Sequence, residues 1–446
     1  MAASAPDPIV ICSPVRTAIG AFNGSLKDTP ATELGAAVVR ETLRRSWIDP
    51  AAVGSVVMGN VIQAGNRMNP ARQAAIGGGL PVSVPAMTIN RVCGSGAQAV
   101  VTAAQQITAG EIDVAVAGGM ENMDRAPYLM GGGRWGYRMG PAQILDSLLT
   151  DGLNDAFSGD HSGWHTEDVV TRAQLSRDDQ DRFAARSQQR FAAAQAADRF
   201  ADEIVAVEVK GRKGPLEFAI DEAPRPETTV ETLAKLKPAF RGEGTITAGS
   251  APGLNSGAAA MIVASAGFAE RTGLEPMARI AAYGIAAVEP GMFGLGPVPA
   301  VRIALDRAGW SIADIERIEI NEAFAAVPLA VAKELGLPED IVNEEGGAIA
   351  HGHPIGATGR GADHPTPPFH GARRTDARPG HPVHWRWPGD RRGARAAGGL
   401  TRPRRLCGPK SIQEASMDVQ GAARRQSRAE PDRRESPGRT VVEINA

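Results

Sequence analysis

Three short segments bring together residue types that could do covalent chemistry. Ile89-Asn90-Arg91-Val92-Cys93-Gly94-Ser95-Gly96 sets a cysteine where an apolar run gives way to an Ala-rich one, which predicts a strand, a tight turn and a helix. Gly94 and Gly96 allow the turn and let a ligand approach the backbone. A thiol at a helix N-terminus feels the dipole and the free N–H groups, which draw its pKa down towards the thiolate. Nucleophiles are presented in this way at other strand–turn–helix elbows. The competing reading is a buried cysteine acting as a small hydrophobe. His351-Gly352-His353-Pro354-Ile355-Gly356 holds a histidine between glycine and proline, on a rigid loop with little bulk nearby, as a general base or thiolate partner needs. A structural histidine competes. So does metal ligation, although His351 and His353 stand two apart with no third ligand at useful spacing. In Asn321-Glu322-Ala323-Phe324 the asparagine is either a plain helix N-cap or an amide that holds a water or substrate oxygen. Gly118–Met123 is open in the same way. There is no Walker loop and no G-x-G-x-x-G after a strand, so ATP and NAD have no anchor.

These residues sit in an alternating framework. Pro8–Cys12, Val56–Val61, Ala86–Cys93 and Asp113–Ala117 read as strands. Thr32–Arg45, Asn69–Gly77 and Ser95–Ala109 between them read as helices. The strands are almost continuous apolar runs, the mark of parallel strands covered on both faces, so the class is α/β with right-handed crossovers. Residues 121–250 read as an excursion from the sheet: a Gly-, Met- and aromatic-rich loop over Arg125–Arg138, then a helix from an N-cap at Ser176 to Phe200, with Asp178 and Asp179 in its first turn. The rhythm resumes with a strand over Ala278–Ile285, a helix over Val301–Ala308, a strand over Ile315–Ile320 and a helix over Glu322–Leu335.

Composition excludes several classes. Charged residues are 22% and hydrophobic ones 43% of the 446, ordinary for a soluble globular chain of two or three domains. Aromatics are only 4%, so the core is built from Ala, Val, Ile, Leu and Met. Three cysteines make no disulfide scaffold and fit a reducing compartment. Neither a membrane-length apolar run nor a signal peptide is readable, and the expected location is cytoplasmic. The net charge of −2 conceals an asymmetry: residues 360–446 hold 17 Arg and one Lys against nine acids, so the first 359 residues carry −11.

VICSPVRTAIGAFNGSLKD, NRVCGSGAQAV, AVAGGMENM, GPVPA, INEAFAA and GGAIAHGHPIGATG, in this order over residues 8–359, resemble the thiolase family. The resemblance implies a five-layered fold of two similar α/β halves, with 1–120 and 251–277 forming the first half and 278–359 a truncated second. The inserted loop domain at 121–250 would cover coenzyme A. It implies that two acetyl-CoA condense to acetoacetyl-CoA and CoA, reversibly. Cys93 would be the acyl-accepting nucleophile, His353 its base, and Asn321 the holder of a water that completes an oxyanion hole with His353. His161, Ser250, Gly253 and Phe324 would meet the substrate or its CoA. The implied protein is a homotetramer with no metal, redox cofactor, nucleic acid or membrane partner, and CoA enters only with the substrate. Three positions depart from the family: His161-Ser162-Gly163 replaces His-Met-Gly, Pro252 replaces the serine of Asn-Ala-Ser-Gly, and Phe293 stands where methionine is common. Thiolysis of longer 3-ketoacyl-CoA, or CoA binding without turnover, are the alternatives.

The end of the chain departs further. A thiolase resembles AVLTTRLLHSM…TLCIGGGQGIA there, with a second catalytic cysteine. Here the text is Arg- and Pro-rich, either a disordered basic tail with affinity for nucleic acid or something else. Codons for His381–Asp390, read from their second base, can spell Thr-Leu-Cys-Ile-Gly-Gly-Gly-Gln-Gly-Ile, and Arg360–His370 behave likewise. Residues 360–446 therefore read as a frame-slipped, disordered tail. Cys407-Gly408 is a coincidental match, and Cys12 is a core residue of the first strand.

Overall fold

The structure, a computed structural model, describes residues 7–211, 214–357 and 441–444. The first 122 residues alternate as their sequence suggests: β1 (Ile9–Thr17), α1 (Ala31–Ser46), β2 (Ser55–Gly59), α2 (Pro70–Gly77), β3 (Ala86–Ile89), α3 (Ser95–Thr108) and β4 (Val114–Asn122). The chain then leaves the sheet through α4 (Ser162–Ala173) and α5 (Arg177–Ala196), and returns as β5 (Asn255–Ser265) beside β4. Beyond it come β6 (Ala278–Ile280), α6 (Pro297–Ala308), β7 (Arg317–Ile320), α7 (Ala326–Leu335) and α8 (Ala348–His351). A last strand, β8 (Val441–Ile444), pairs in parallel with β7. The other tail residues read as frame-slipped lie outside the described residues.

The main sheet runs β6-β1-β5-β4-β2-β3. Its β4, β2 and β3 are parallel, but β1 is antiparallel to both β5 and β6, and β5 is antiparallel to β4. The all-parallel expectation is thus corrected to a mixed sheet. A strand covered on both faces is a continuous apolar run whichever way its neighbours point, so the pattern could not report direction.

Alternation decides which helix covers which face. Val10, Cys12, Val56, Val116 and Ile262 pack towards α1 and α2, while Ile9, Ile11, Val57, Ala115 and Val263 pack towards α3. Cys12 is a core residue, as its sequence position suggests. Small residues permit close backbone approach at the centre: a Cβ on Gly118 would lie 2.0 Å from the Ala259 carbonyl oxygen of the neighbouring strand.

Ser176 caps α5 through a capping box with Asp179. The excursion is pinned to β1 by Arg16, buried with its guanidinium on Asp221 (2.7 and 2.9 Å) and Glu203. Among the described residues no helix is long and apolar enough to cross a membrane.

Candidate active site

The elbow around Cys93 is built by local hydrogen bonds. The predicted strand stops at Ile89, four residues early, because Asn90 turns the chain: its Oδ1 accepts from Val92 N–H at 2.9 Å. Val92 is held at φ 47°, unusual for a β-branched residue. Ser95 locks the turn, its hydroxyl accepting from Arg91 N–H (2.8 Å) and donating to the Val92 carbonyl (2.7 Å). Cys93 is thereby set just before the N-terminus of α3, partly buried against an apolar cluster that includes Val61, Ile355 and Leu254. The expected low pKa is not what this setting gives. Burial pushes the thiol up to about 12, and the buried Glu121 carboxylate adds to the rise. Desolvation of the charge outweighs the helix end.

His353 arrives from the other half of the chain. The loop 346–357 is tied down by side-chain acceptors at three places. Glu322 Oε2 accepts from Ile349 N–H at 2.9 Å, Asn255 Oδ1 from His353 N–H at 2.8 Å, and Glu121 from Gly356 N–H. The imidazole Nε2 then stands 3.1 Å from Cys93 Sγ and 3.4 Å from Asn321 Nδ2. Burial pushes His353 down to about 4, so it is neutral near pH 7. A buried thiol and a buried neutral imidazole in contact form a pair in which the imidazole can accept the proton.

Asn321 is not an N-cap, which corrects that reading, and α7 begins at Ala326 rather than Glu322. Glu322 instead turns inward and accepts from Ser187 Oγ (2.7 Å) and Asn343 Nδ2 (2.8 Å), so 321–325 cannot join the helix. The Asn321 Oδ1 is buried with no hydrogen-bond partner among the described residues. His351 lies apart from this group, its ring 5.6 Å from Phe191. Among the described residues no three His, Cys, Asp or Glu side chains group as metal ligands.

The residues assigned to the substrate divide. His161 caps α4, its Nδ1 accepting from Gly163 N–H at 3.0 Å, and burial lowers its pKa. Its ring stacks at 4.7 Å on Phe240, which meets Phe324 edge-on at 5.6 Å. Those three rings connect α4 with the segment that carries Asn321. Phe293, Ala251 and Phe240 pack against the apolar cluster that includes Phe324. Ser250 is fully buried, and its hydroxyl accepts from Thr247 N–H within its own turn. Gly253 has open space where a Cβ would point. Sequence reasoning missed Glu121, Glu322 and Asn255, although a lone acid closing an apolar strand is a readable signal.

The chain is similar to proteins already known. Residues 9–267 match the thiolase N-terminal domain and residues 274–363 the thiolase C-terminal domain. A Pseudomonas aeruginosa protein named acetyl-CoA acetyltransferase is 54% identical over 352 residues, 79% of this chain and 90% of that protein. A mouse protein named acetyl-CoA acetyltransferase, cytosolic, is 50% identical over 355 residues, 79% of this chain and 89% of its own. The crystal structure of the Bacillus anthracis acetyl-CoA acetyltransferase superposes with a TM-score of 0.79 at 41% identity, covering 81% of this chain and 91% of that one. With a cysteine elbow on one half, a histidine loop on the other and both domain models matched, this chain belongs to the thiolase family.

Proposed function

We propose that this chain is an acetyl-CoA acetyltransferase that works through an acyl-enzyme on Cys93. The observation that carries the reading is the 3.1 Å contact between His353 Nε2 and Cys93 Sγ, made across two halves of the chain. The S–H proton passes to His353 Nε2, and the sulfur electron pair forms the bond to the thioester carbonyl carbon. The tetrahedral oxyanion collapses, the C–S bond to CoA breaks, and the imidazolium returns its proton to the leaving thiolate. Asn321, its Nδ2 3.4 Å from His353 Nε2, orders a water that receives the oxyanion of the second, carbon–carbon bond-forming step, giving acetoacetyl-CoA. CoA enters with the substrate, and no metal or redox cofactor takes part.

The finer assignments rest on the same reading. His161 and Phe324, joined through Phe240, line the approach for the pantetheine arm, and residues 121–250 cover it. Ser250 acts by supporting Ala325 N–H, which its carbonyl accepts at 2.8 Å, rather than by touching substrate. Gly253 leaves room for the arm. Exposed Tyr128, Trp135, Met139 and Ile144 on the excursion favour burial between copies, in keeping with a homotetramer, and the cytosolic mouse relative favours a cytoplasmic location. Condensation also needs a base for C2 of the second acetyl-CoA. The free cysteines among the described residues are Cys12, in the core, and Cys93; on the frame-slip reading of the tail, acyl-enzyme formation is expected to stay intact and condensation to be impaired. Quenched mixtures with acetyl-CoA, mapped by peptide mass spectrometry, should place an acetyl group on Cys93. An adduct elsewhere, or none, defeats the reading.

A further inference from the structure

Glu121 closes β4 and is fully buried, yet no cation approaches it among the described residues. Everything that reaches its carboxylate is a donor. Oε1 accepts from Asn60 Nδ2 at 2.8 Å and Ile62 N–H at 3.4 Å, Oε2 from Val61 N–H at 2.9 Å, and Gly356 N–H adds a fourth. A glutamine here would aim its NH2 at N–H groups whichever way it turned, so the site specifies a carboxylate rather than a polar side chain of that size. The donors come from two places: the segment after β2, and the loop that carries His353. Bare backbone seals the same junction. A Cβ on Gly119 would lie 2.0 Å from the Gly356 carbonyl oxygen, one on Gly59 2.4 Å from it, and one on Gly356 2.6 Å from Glu121 Oε2.

Among the described residues, few other ionisable groups lie near the reacting pair. Around Cys93 the titratable neighbours are His353 at 3.1 Å and Glu121. Arg91 in the elbow is exposed. Asp124, next along the chain, is engaged elsewhere by Asn23 N–H and Ser256 Oγ, and His351 lies against Phe191. The other neighbours of Cys93, Val61, Ile62, Leu254 and Ile355 among them, are apolar. Burial raises Glu121 itself to about 7, so from neutral pH upward it carries a charge that opposes a Cys93 thiolate through low-dielectric surroundings.

We infer that Glu121 is a positioning residue of acyl transfer: its side chain fastens the His353 loop to the sheet end beside the Cys93 elbow, and where ionised it adds to what burial already does in keeping Cys93 a thiol until His353 takes the proton. This rests on Cys93 being the acylated residue. The loop is held before His353 by Glu322 at Ile349, at His353 itself by Asn255, and after it by Glu121 at Gly356.

The test uses the full chain and its Glu121→Gln, Glu121→Asp and Gly356→Ala variants. Acetylation of Cys93 is followed by quenched-flow mass spectrometry, and iodoacetamide alkylation of Cys93 at a fixed pH of about 9 is measured beside it. Displacing the base by about 1 Å costs on the order of 10²-fold, so all three variants should acylate at least tenfold more slowly, with half-saturating acetyl-CoA changed less than about threefold. Alkylation should accelerate in Glu121→Gln alone, because Glu121→Asp and Gly356→Ala disturb position but keep the charge. Wild-type acylation in Glu121→Gln, or a loss that only follows the folded fraction, overturns the proposal. Equal acceleration of alkylation in Glu121→Gln and Glu121→Asp overturns its electrostatic half. Failure of all three variants to fold makes the carboxylate structural and also overturns it. If the wild-type chain itself takes no acetyl group, the reading of Cys93 fails instead, and the alkylation comparison still judges Glu121.

Discussion

Replacing His353 by asparagine removes the proposed base and keeps a polar side chain on the loop. The cost follows from the setting of Cys93. A thiol pushed up to about 12 is thiolate in only about one molecule in 10⁵ at pH 7, so it cannot act as a nucleophile unaided. His353, pushed down to about 4, is in its proton-accepting form at every pH above roughly 5. Acylation of the wild-type chain should therefore vary only weakly from about pH 6 to 9, where Glu121 at about 7 is the neighbour that titrates, and fall below about pH 5, as the imidazole becomes charged. The variant depends on free thiolate, and its rate should climb about tenfold per pH unit across the neutral and alkaline range. At pH 7 the loss should be ~10²–10⁴-fold, the usual worth of a positioned general base. Quenched acylation across a pH series reads both the size and the shape. A variant within about threefold of wild type at pH 7, or one with the same flat profile, refutes a base role for His353. Stability carries the same signature. The folded-state pKa of His353 is depressed from 6.5 to about 4, so between these values the unfolded chain binds more protons, and stability from this group rises with pH over that window. The variant should lose that slope, worth at most about 3 kcal/mol, in chemical denaturation at pH 4.5 and 7.

Iodoacetamide at neutral pH should label Cys93 before Cys12, through access and the adjacent base rather than a low pKa, since burial raises both thiols. Acetyl-CoA should protect Cys93, and equal labelling of the two would contradict the site. Gly119→Ala puts a methyl 2.0 Å from the Gly356 carbonyl oxygen and should cost roughly 1–3 kcal/mol in denaturant titration while also slowing acylation. An unchanged rate would mean that the His353 loop does not depend on that contact. Asn321→Ala should slow acetoacetyl-CoA formation ~10²–10³-fold while sparing acyl-enzyme formation; equal loss in both steps would place its role earlier. Restoring the reading frame at Gly359 should raise soluble yield and thiolysis together. Equal turnover of the two chains would dismiss the frame-slip account.

Much of the fold was legible because local signals agreed with it. Ser176 with Asp179 marks the start of α5, and the Ala-rich periods of α1 and α3 place those helices to within a residue or two. Strand direction was not legible, since β1 and β5 are covered on both faces and carry no polar side to orient them. Cys93, His353 and Asn321 were visible as types in turns, and the structure brings them together. The sign of the Cys93 perturbation was hidden. The helix end is local and readable, whereas the apolar cluster around the thiol comes from five separate stretches of chain. Glu322 misled the helix reading for a similar reason, because the donors that draw it inward lie 135 and 21 residues away.

The contact among Gly59, Gly119 and Gly356 has a consequence for how damage to this protein would be noticed. Cys93 and His353 are delivered by different parts of the chain, and bare backbone on bare backbone leaves no side chain to flex and absorb a misfit. Reactivity of Cys93 is therefore a gauge of docking. A lesion far away in the packing beneath β7 or α7 would slow the chemistry while each part still kept its own secondary structure. Loss of activity should come before loss of helical signal when the chain is heated, and the first protein to fail in a population would be folded, intact and out of register by a fraction of an ångström.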